Sequence, residues 1–334
     1  RVYIGGDFDA ATSDFSKLNK VAVWENGKWN PLGSGLGNTT TQIVNTLVAD
    51  GEDVYFGGVF ADPNGPPNRK KNFARWNPNT NFTNYVPGKN APPEEPKGPS
   101  EDVLAADNKH MFLEYGGPDG GDPFAMVRHG DYIYTAGAHQ RVIGKSGLKT
   151  LSRFNVVTEQ WENVPGLDGS QGWVRSLDID SEGNLWVGGD FSGIGGTNAR
   201  RLAKFDTHTK QWSVLRDRNH PDEFGPVSGG AYATVRSGNY VYIGGFIFNS
   251  DNPAERFVRR YNLTTSTWET AGAGLNGRVN AMVVADNGDV IALVKKLQQL
   301  HDFQRQFRIK IARWLIRQND LRAADQSPRD GRAL

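Results

Sequence analysis

Six histidines (His110, His129, His139, His208, His220 and His301) are scattered through the 334 residues. None pairs with another at a metal-ligand spacing, which argues against zinc. The chain has no cysteine, which removes disulfides, thiolate metal sites and cysteine nucleophiles. Asp178-Ile179-Asp180-Ser181-Glu182-Gly183 has the oxygen-rich composition of a calcium loop but lacks the later bidentate glutamate. It also falls where a hairpin turn is needed, so turn chemistry is the expectation. Asp7, Asp190 and Glu114 are carboxylates a glycosidase could use, yet nothing marks two of them as an opposed pair. Asp7 and Asp190 hold equivalent places in a repeat, which predicts a structural role. There is no Gly-x-Ser-x-Gly elbow and no phosphate-binding loop. No catalytic residue, metal ligand or cofactor is predicted, and the balance is against an enzyme.

Other residue types point to binding or modification. Trp173, Tyr115 and Trp186 could stack against sugar rings. Asn38, Asn81 and Asn262 each open an Asn-x-Thr sequon, in predicted surface turns, although so Asn-rich a chain would hold roughly three by chance.

The elements that would position these groups repeat at roughly fifty residues, a period that means stacked modules. One element is an apolar run ending in paired glycines. It occurs at Val2-Tyr3-Ile4-Gly5-Gly6, Val54-Tyr55-Phe56-Gly57-Gly58, Leu185-Trp186-Val187-Gly188-Gly189 and Val241-Tyr242-Ile243-Gly244-Gly245, and degenerately at Tyr132–Gly137. The other is an aromatic followed by Asn or Asp, a polar turn, and a second aromatic seven residues after the first. It reads Phe154-Asn155 to Trp161, Phe205-Asp206 to Trp212 and Tyr261-Asn262 to Trp268, with looser copies from Trp76-Asn77 to Tyr85 and from Trp24-Glu25 to Trp29. An alternating stretch and an Asp/Gly/Asn-rich turn precede most glycine runs, so each unit reads as four strands joined by hairpins.

Four-stranded antiparallel modules of this length predict the blades of an all-β propeller. Paired glycines would sit where blades crowd the axis, and the aromatics would fill the wedge between neighbours. The hairpins Phe154–Trp161, Phe205–Trp212 and Tyr261–Trp268 resemble the aromatic-Asp-Pro-x-Thr-x-x-Trp hairpin of kelch-type and galactose-oxidase-like propellers. Gly188–Gly196 running to Leu202–Asp206 is similar to repeats of extracellular bacterial and fungal cell-surface propellers. The resemblance covers about residues 1–292 and implies architecture rather than activity. The copper-radical chemistry of galactose oxidase needs a cross-linked cysteine, which is missing here. The blade count is expected at six, within a range of five to seven. In that count Val103–Asp107 and Met111–Gly117 begin a degenerate blade, and residues 279–284 supply the strand missing at the N-terminus. For Trp173, core packing between blades stands beside the sugar-stacking reading.

Charge separates body from tail. The net charge of +1 makes no case for nucleic acid, but from residue 293 onward ten Lys/Arg face four Asp/Glu, against 28 and 33 before it. Leu297, Leu300, Phe303, Phe307, Ile311 and Trp314 recur at steps of three and four, predicting a basic amphipathic helix over 293–326 and a flexible terminus over 327–334. No window holds the roughly twenty apolar residues that a membrane-spanning helix needs.

These signals predict a non-catalytic extracellular or particle-surface propeller that binds protein subunits of a larger assembly. The tail helix and the long loops 61–72, 88–122, 139–149 and 216–229 would make the contacts. A lectin-like propeller with a glycan partner is the alternative. A hydrolase or oxidoreductase using a central channel is the third reading.

Overall fold

A computed structural model of the chain describes residues 1–11, 17–37, 42–61, 70–83, 113–114, 123–137, 141–142, 150–167, 172–219, 229–248, 256–294, 313–317 and 320–321. All the helix or sheet structure among them is β-strand. Two compact units divide the chain: Arg1–Ile179 with Ile194–Gly196, and Asp180–Gly193 with Thr197–Leu334.

The first unit begins with a three-stranded sheet of β1 (Val2–Gly5), β2 (Val21–Glu25) and β3 (Lys28–Pro31). A four-stranded sheet follows in the order β4 (Ile43–Asp50), β5 (Asp53–Ala61), β6 (Lys70–Asn77), β7 (Asn81–Thr83). Next come β8 (Leu113–Glu114), β9 (Pro123–His129), β10 (Tyr132–Gly137), β11 (Arg141–Val142), β12 (Leu151–Asn155) and β13 (Gln160–Asn163). Of these, β9, β10, β12 and β13 form an antiparallel sheet, while β8 pairs only with β11. The unit ends on β14 (Val174–Ile179).

The second unit opens with β15 (Asn184–Gly189), β16 (Leu202–Asp206) and β17 (Gln211–Val214), joined in that order. Then come two four-stranded sheets. One is β18 (Gly229–Ser237), β19 (Tyr240–Ile247), β20 (Val258–Asn262) and β21 (Thr267–Thr270). The other is β22 (Val279–Val284), β23 (Val290–Val294), β24 (Arg313–Arg317) and β25 (Asp320–Leu321).

The aromatic spacing is a cross-strand register. Phe154 stands opposite Trp161, Phe205 opposite Trp212 and Tyr261 opposite Trp268, with ring centroids 5.4, 5.0 and 5.2 Å apart. Directly opposed aromatics are among the better cross-strand pairs. The Asn or Asp between them closes the turn: Asn155 Oδ1 accepts from the amides of Val157 and Thr158, Asp206 Oδ1 from His208 and Thr209, and Asn262 Oδ1 from Thr264 and Thr265. Such local acceptors fix the chain reversal. The looser copy at Trp24 keeps this register with Trp29. The copy at Trp76 does not reach Tyr85, because Trp76 pairs with Phe82 in a shorter hairpin.

Paired glycines meet two different neighbours. A Cβ on Gly5 would fall 2.4 Å from Val44 Cγ1, on Gly57 2.9 Å from Pro123 Cβ, and on Gly244 2.6 Å from Val279 Cγ1. Each of these contacts is with the first strand of the following sheet. A Cβ on Gly58 would meet the Ile43 carbonyl oxygen at 2.1 Å, and on Gly245 the Gly230 oxygen at 2.0 Å, so the second glycine faces its own sheet's first strand. The amides of Gly6, Gly189 and Gly245 donate to the carbonyls of Lys20, Arg201 and Phe257, which lead into β2, β16 and β20 with φ of 76, 69 and 67°. Gly188 and Gly189 are buried in β15.

Aromatic and aliphatic side chains from successive sheets merge into shared cores. Tyr55, Phe73, Met126, Ile133, Phe154 and Trp161 make one in the first unit. Trp186, Leu202, Val241, Ile243, Tyr261 and Trp268 belong to one in the second. Trp76 packs half-buried against a further core containing Val54 and Phe56.

Two expectations need correction. The described tail contains strand rather than helix: Trp314 lies in β24 opposite Ala292, and Leu315 lies opposite Ile291. Arg313-Trp314-Leu315-Ile316-Arg317 is rich in β-branched and aromatic residues, and the open edge of β23 supplies a pairing partner that sequence periodicity does not represent. Leu300, Phe303, Phe307 and Ile311 lie outside the described residues. Residues 279–284 pair with 290–294 as β22 and β23, so β23 runs through the expected boundary at 292. The second correction concerns the degenerate blade. Leu113–Glu114 pairs with Arg141–Val142, while Tyr132–Gly137 takes Pro123–His129 as its first strand. Residues 103–107 lie outside the described residues.

Candidate functional site

Most carboxylates that looked available for chemistry hold the scaffold instead. Asp180 caps the β14–β15 turn: Oδ1 accepts from the amides of Glu182 and Asn184, and Oδ2 accepts from the Trp186 indole at 2.9 Å and the Arg236 guanidinium at 2.7 Å. Its side chain is 5% exposed. Burial works against its ionisation, but the Asn184 amide, the Trp186 indole and Arg236 together hold its carboxyl below the ordinary range. Asp178–Gly183 is thus a hairpin turn that ends in an ion pair. Asp7 and Asp9 grip the Lys20 ammonium, each at 2.9 Å, with the lysine 1% exposed. Burial alone would lower the lysine pKa, and the two carboxylates raise it. In the equivalent place Arg201 donates to the carbonyls of Asp190 and Phe191. Glu114 stands in β8, and its side chain lies outside the described residues.

The same clamp recurs between sheets. Asp50 at the end of β4 meets Arg128 of β9 at 3.0 Å, as Asp180 meets Arg236 of β18. Arg75 bridges Asp53 and Glu159 at 2.8 and 3.3 Å. Among the described residues no three His, Asp or Glu side chains converge as a metal site.

A different chemistry gathers at the β-bulges. Register slips by one residue between Val44 and Thr46, Ala231 and Ala233, and Val279 and Ala281. Another slip leaves Phe124 without a partner opposite Ala136–Gly137. The extra residues are Asn45, Tyr232, Asn280 and Phe124, two amides and two aromatics. A bulge re-aims the side chain it inserts. In the first unit the Arg175 guanidinium lies 4.8 Å from the Trp173 ring centroid and 5.0 Å from that of Phe124. Asn45 donates to the Pro123 carbonyl beside them at 3.1 Å. In the second unit Arg278 lies 5.3 Å from the Tyr232 ring and donates to Asn280 Oδ1 at 2.9 Å. Both units therefore carry an arginine against an aromatic, near the starts of β9 and β14 in one and of β18 and β22 in the other.

No protein-family model matches the chain, and no curated protein matches it. Among solved structures it is similar to the extracellular domain of a protein described as a one-component system of B. thetaiotaomicron, at 10% identity and a TM-score of 0.46. That match covers 94% of this chain and 37% of the other. It is also similar to the extracellular domain of a second protein of the same organism and to another structure of the first, both described as hybrid two-component systems. The former is 13% identical with a TM-score of 0.43, covering 76% of this chain and 27% of the other. The latter is 10% identical with a TM-score of 0.47, covering 94% and 37%. The chain thus spans between about a quarter and little more than a third of the length of these chains, and its site is read from its own residues.

Of the sugar-stacking candidates, Trp186 is removed, because it is 1% exposed and committed to Asp180. Tyr115 lies outside the described residues. Trp173 is 38% exposed. Among the sequons, Asn262 is half-buried and its amide nitrogen donates to Glu269, so its side chain belongs to the turn. Asn81 is exposed at a φ of 64°, and Asn38 lies outside the described residues. Phe124, Arg175, Tyr232 and Arg278 are absent from the sequence-based candidates. Phe124 and Tyr232 are set apart by their bulges, which leave no mark in hydrophobic periodicity, and Arg175 and Arg278 by the rings they meet. A further exposed cluster, Phe246 against Phe248 with centroids 4.5 Å apart, sits at the end of β19.

Proposed function

We propose that the chain is a β-propeller interaction module without a catalytic centre, its sheets serving as blades and the aromatics and arginines near its bulges meeting a partner protein. The observation that carries this reading is the recurrence of the aromatic–arginine pair, Trp173 and Phe124 with Arg175 and Tyr232 with Arg278, while the carboxylates tie turns and sheets together. Tyr, Trp and Arg are the side chains that concentrate binding energy at interfaces. An extracellular or particle-surface setting follows the resemblance to cell-surface propellers. The test is a photo-crosslinking residue placed at Trp173 or Tyr232, with exposed Val157 as control, in the native setting. The reading expects protein adducts from the first two positions and not from Val157. Equal adducts from all three, or adducts from none, would remove it.

Trp173 supports a second reading, a glycan site. One exposed indole beside a guanidinium offers a stacking face and hydrogen-bond donors. Glycan-array binding lost in Trp173→Ala would favour it over protein recognition.

A further inference from the structure

Arg278 is a surface guanidinium held in one orientation. It directly precedes β22, is exposed, and donates from Nε to Asn280 Oδ1 at 2.9 Å, while its Cζ lies 5.3 Å from the Tyr232 ring centroid. Asn280 is bulged between Val279 and Ala281, and Tyr232 between Ala231 and Ala233, on two sheets that share a core. Two bulges thus fix the plane of one guanidinium. Asn280 takes its Nε–H and Tyr232 covers a face. Among the described residues its two Nη groups have no hydrogen-bond acceptor.

The repeat does not require this arrangement. Asn45 is the matching bulge amide of β4, and its Nδ2 donates to the Pro123 carbonyl at the start of β9, a bond that ties two sheets together. Asn280 turns its oxygen to Arg278 instead. The residues that precede the matching first strand positions are Ile43, Trp173 and Gly230, so no common packing role calls for arginine there. An exposed arginine is ordinarily a solvated charge, and ordering its long side chain consumes most of what an ion pair gains. Here the chain itself orders it. A guanidinium with Nε occupied meets a carboxylate end-on, through its two Nη groups.

Nearby charge limits which anion fits. A Cβ on Gly230 would fall 1.9 Å from Asp190 Oδ1 and 3.5 Å from Tyr232 Cε2, so a carboxylate already stands close to the ring. It repels a dianion more than a monoanion, which disfavours phosphate.

We propose that Arg278 receives the side-chain carboxylate of an Asp or Glu on the partner protein, with Asn280 and Tyr232 as positioning residues. The inference rests on the interaction surface proposed above and names what the partner must carry.

The test has two arms. In the isotope-labelled 334-residue chain, N-acetylglutamate N-methylamide is titrated while the Nε–H resonances of Arg278 and of exposed Arg200 are followed. Binding should be about threefold or more tighter at Arg278, and Asn280→Ala should bring it down to the level of Arg200. Equal binding at both arginines, or tighter binding of inorganic phosphate than of the glutamate compound at Arg278, would overturn the assignment. In the native setting, a photo-crosslinking residue at exposed Asn276 should give protein adducts that fall roughly tenfold in Arg278→Gln and recover only in part in Arg278→Lys, which keeps the charge and loses the fork. Adducts undiminished in Arg278→Gln would overturn the carboxylate contact and leave the interaction surface standing. No adducts from Asn276, Trp173 or Tyr232 would remove the interaction surface itself.

Discussion

Asp180 shows how one side chain can look catalytic and be structural. Replacing it with alanine leaves the buried Trp186 N–H without its acceptor and removes the buried half of the Arg236 ion pair, whose guanidinium keeps Glu182, and should destabilise the chain by about 2–4 kcal/mol in urea unfolding. Because its folded pKa is depressed, its contribution is complete above the unfolded carboxylate value of about 3.9 and is lost as pH falls through the folded value. The stability gap between wild type and Asp180→Asn should therefore be widest near neutral pH and close in acid. A gap independent of pH would contradict the ion-pair account. Asn72 makes the opposite case. It is 0% exposed, and neither side-chain amide atom has a hydrogen-bond partner among the described residues. Asn72→Leu should raise stability by about 1–3 kcal/mol, since it removes an uncompensated buried amide at similar volume. A fall in the urea midpoint would mean that a water or an unrecognised group satisfies it.

At the scale of the element, the paired glycines differ in what a methyl group would strike. Gly244→Ala meets side-chain carbons of Val279, which can shift, at a cost of about 1–3 kcal/mol. Gly245→Ala meets the Gly230 carbonyl oxygen of a paired strand, which cannot shift without opening the ladder, so it should cost more. Gly51→Ala meets nothing within 4 Å and carries only the left-handed φ of 62°, a cost of about 1–2 kcal/mol. Urea midpoints should fall in the order Gly51, Gly244, Gly245. A Gly245→Ala variant as stable as wild type would refute the close approach. The turn residues act at the same scale: Asn155, Asp206 and Asn262 each accept from two amides, which explains why these three hairpins take the short acceptors Asn and Asp.

At the scale of the molecule, the C-terminal strands change what truncation does. The sequence pattern expects deletion of 293–334 to leave a folded monomer that no longer assembles. With β24 and β25 completing the sheet of β22 and β23, deletion of 313–334 leaves a two-stranded ribbon, which is marginal in water, and bares the edge of β23. The truncated chain should melt at least about 4 °C lower and self-associate as concentration rises. An unchanged melting temperature would mean that β24 and β25 add nothing to the fold.

The sequence determined the strands, the hairpins and the pairing of Phe154 with Trp161, Phe205 with Trp212 and Tyr261 with Trp268, because a period of two and Asx-turn chemistry are local. It marked the glycines without saying which neighbour each one meets. Trp314 was misread because its strand exists only through the edge of β23, a pairing that spacing along the chain does not encode. Bulges were silent for a related reason. Inserting one residue is a relation between two strands, so the meeting of Arg175 with Trp173 and Phe124 was decided by tertiary structure alone.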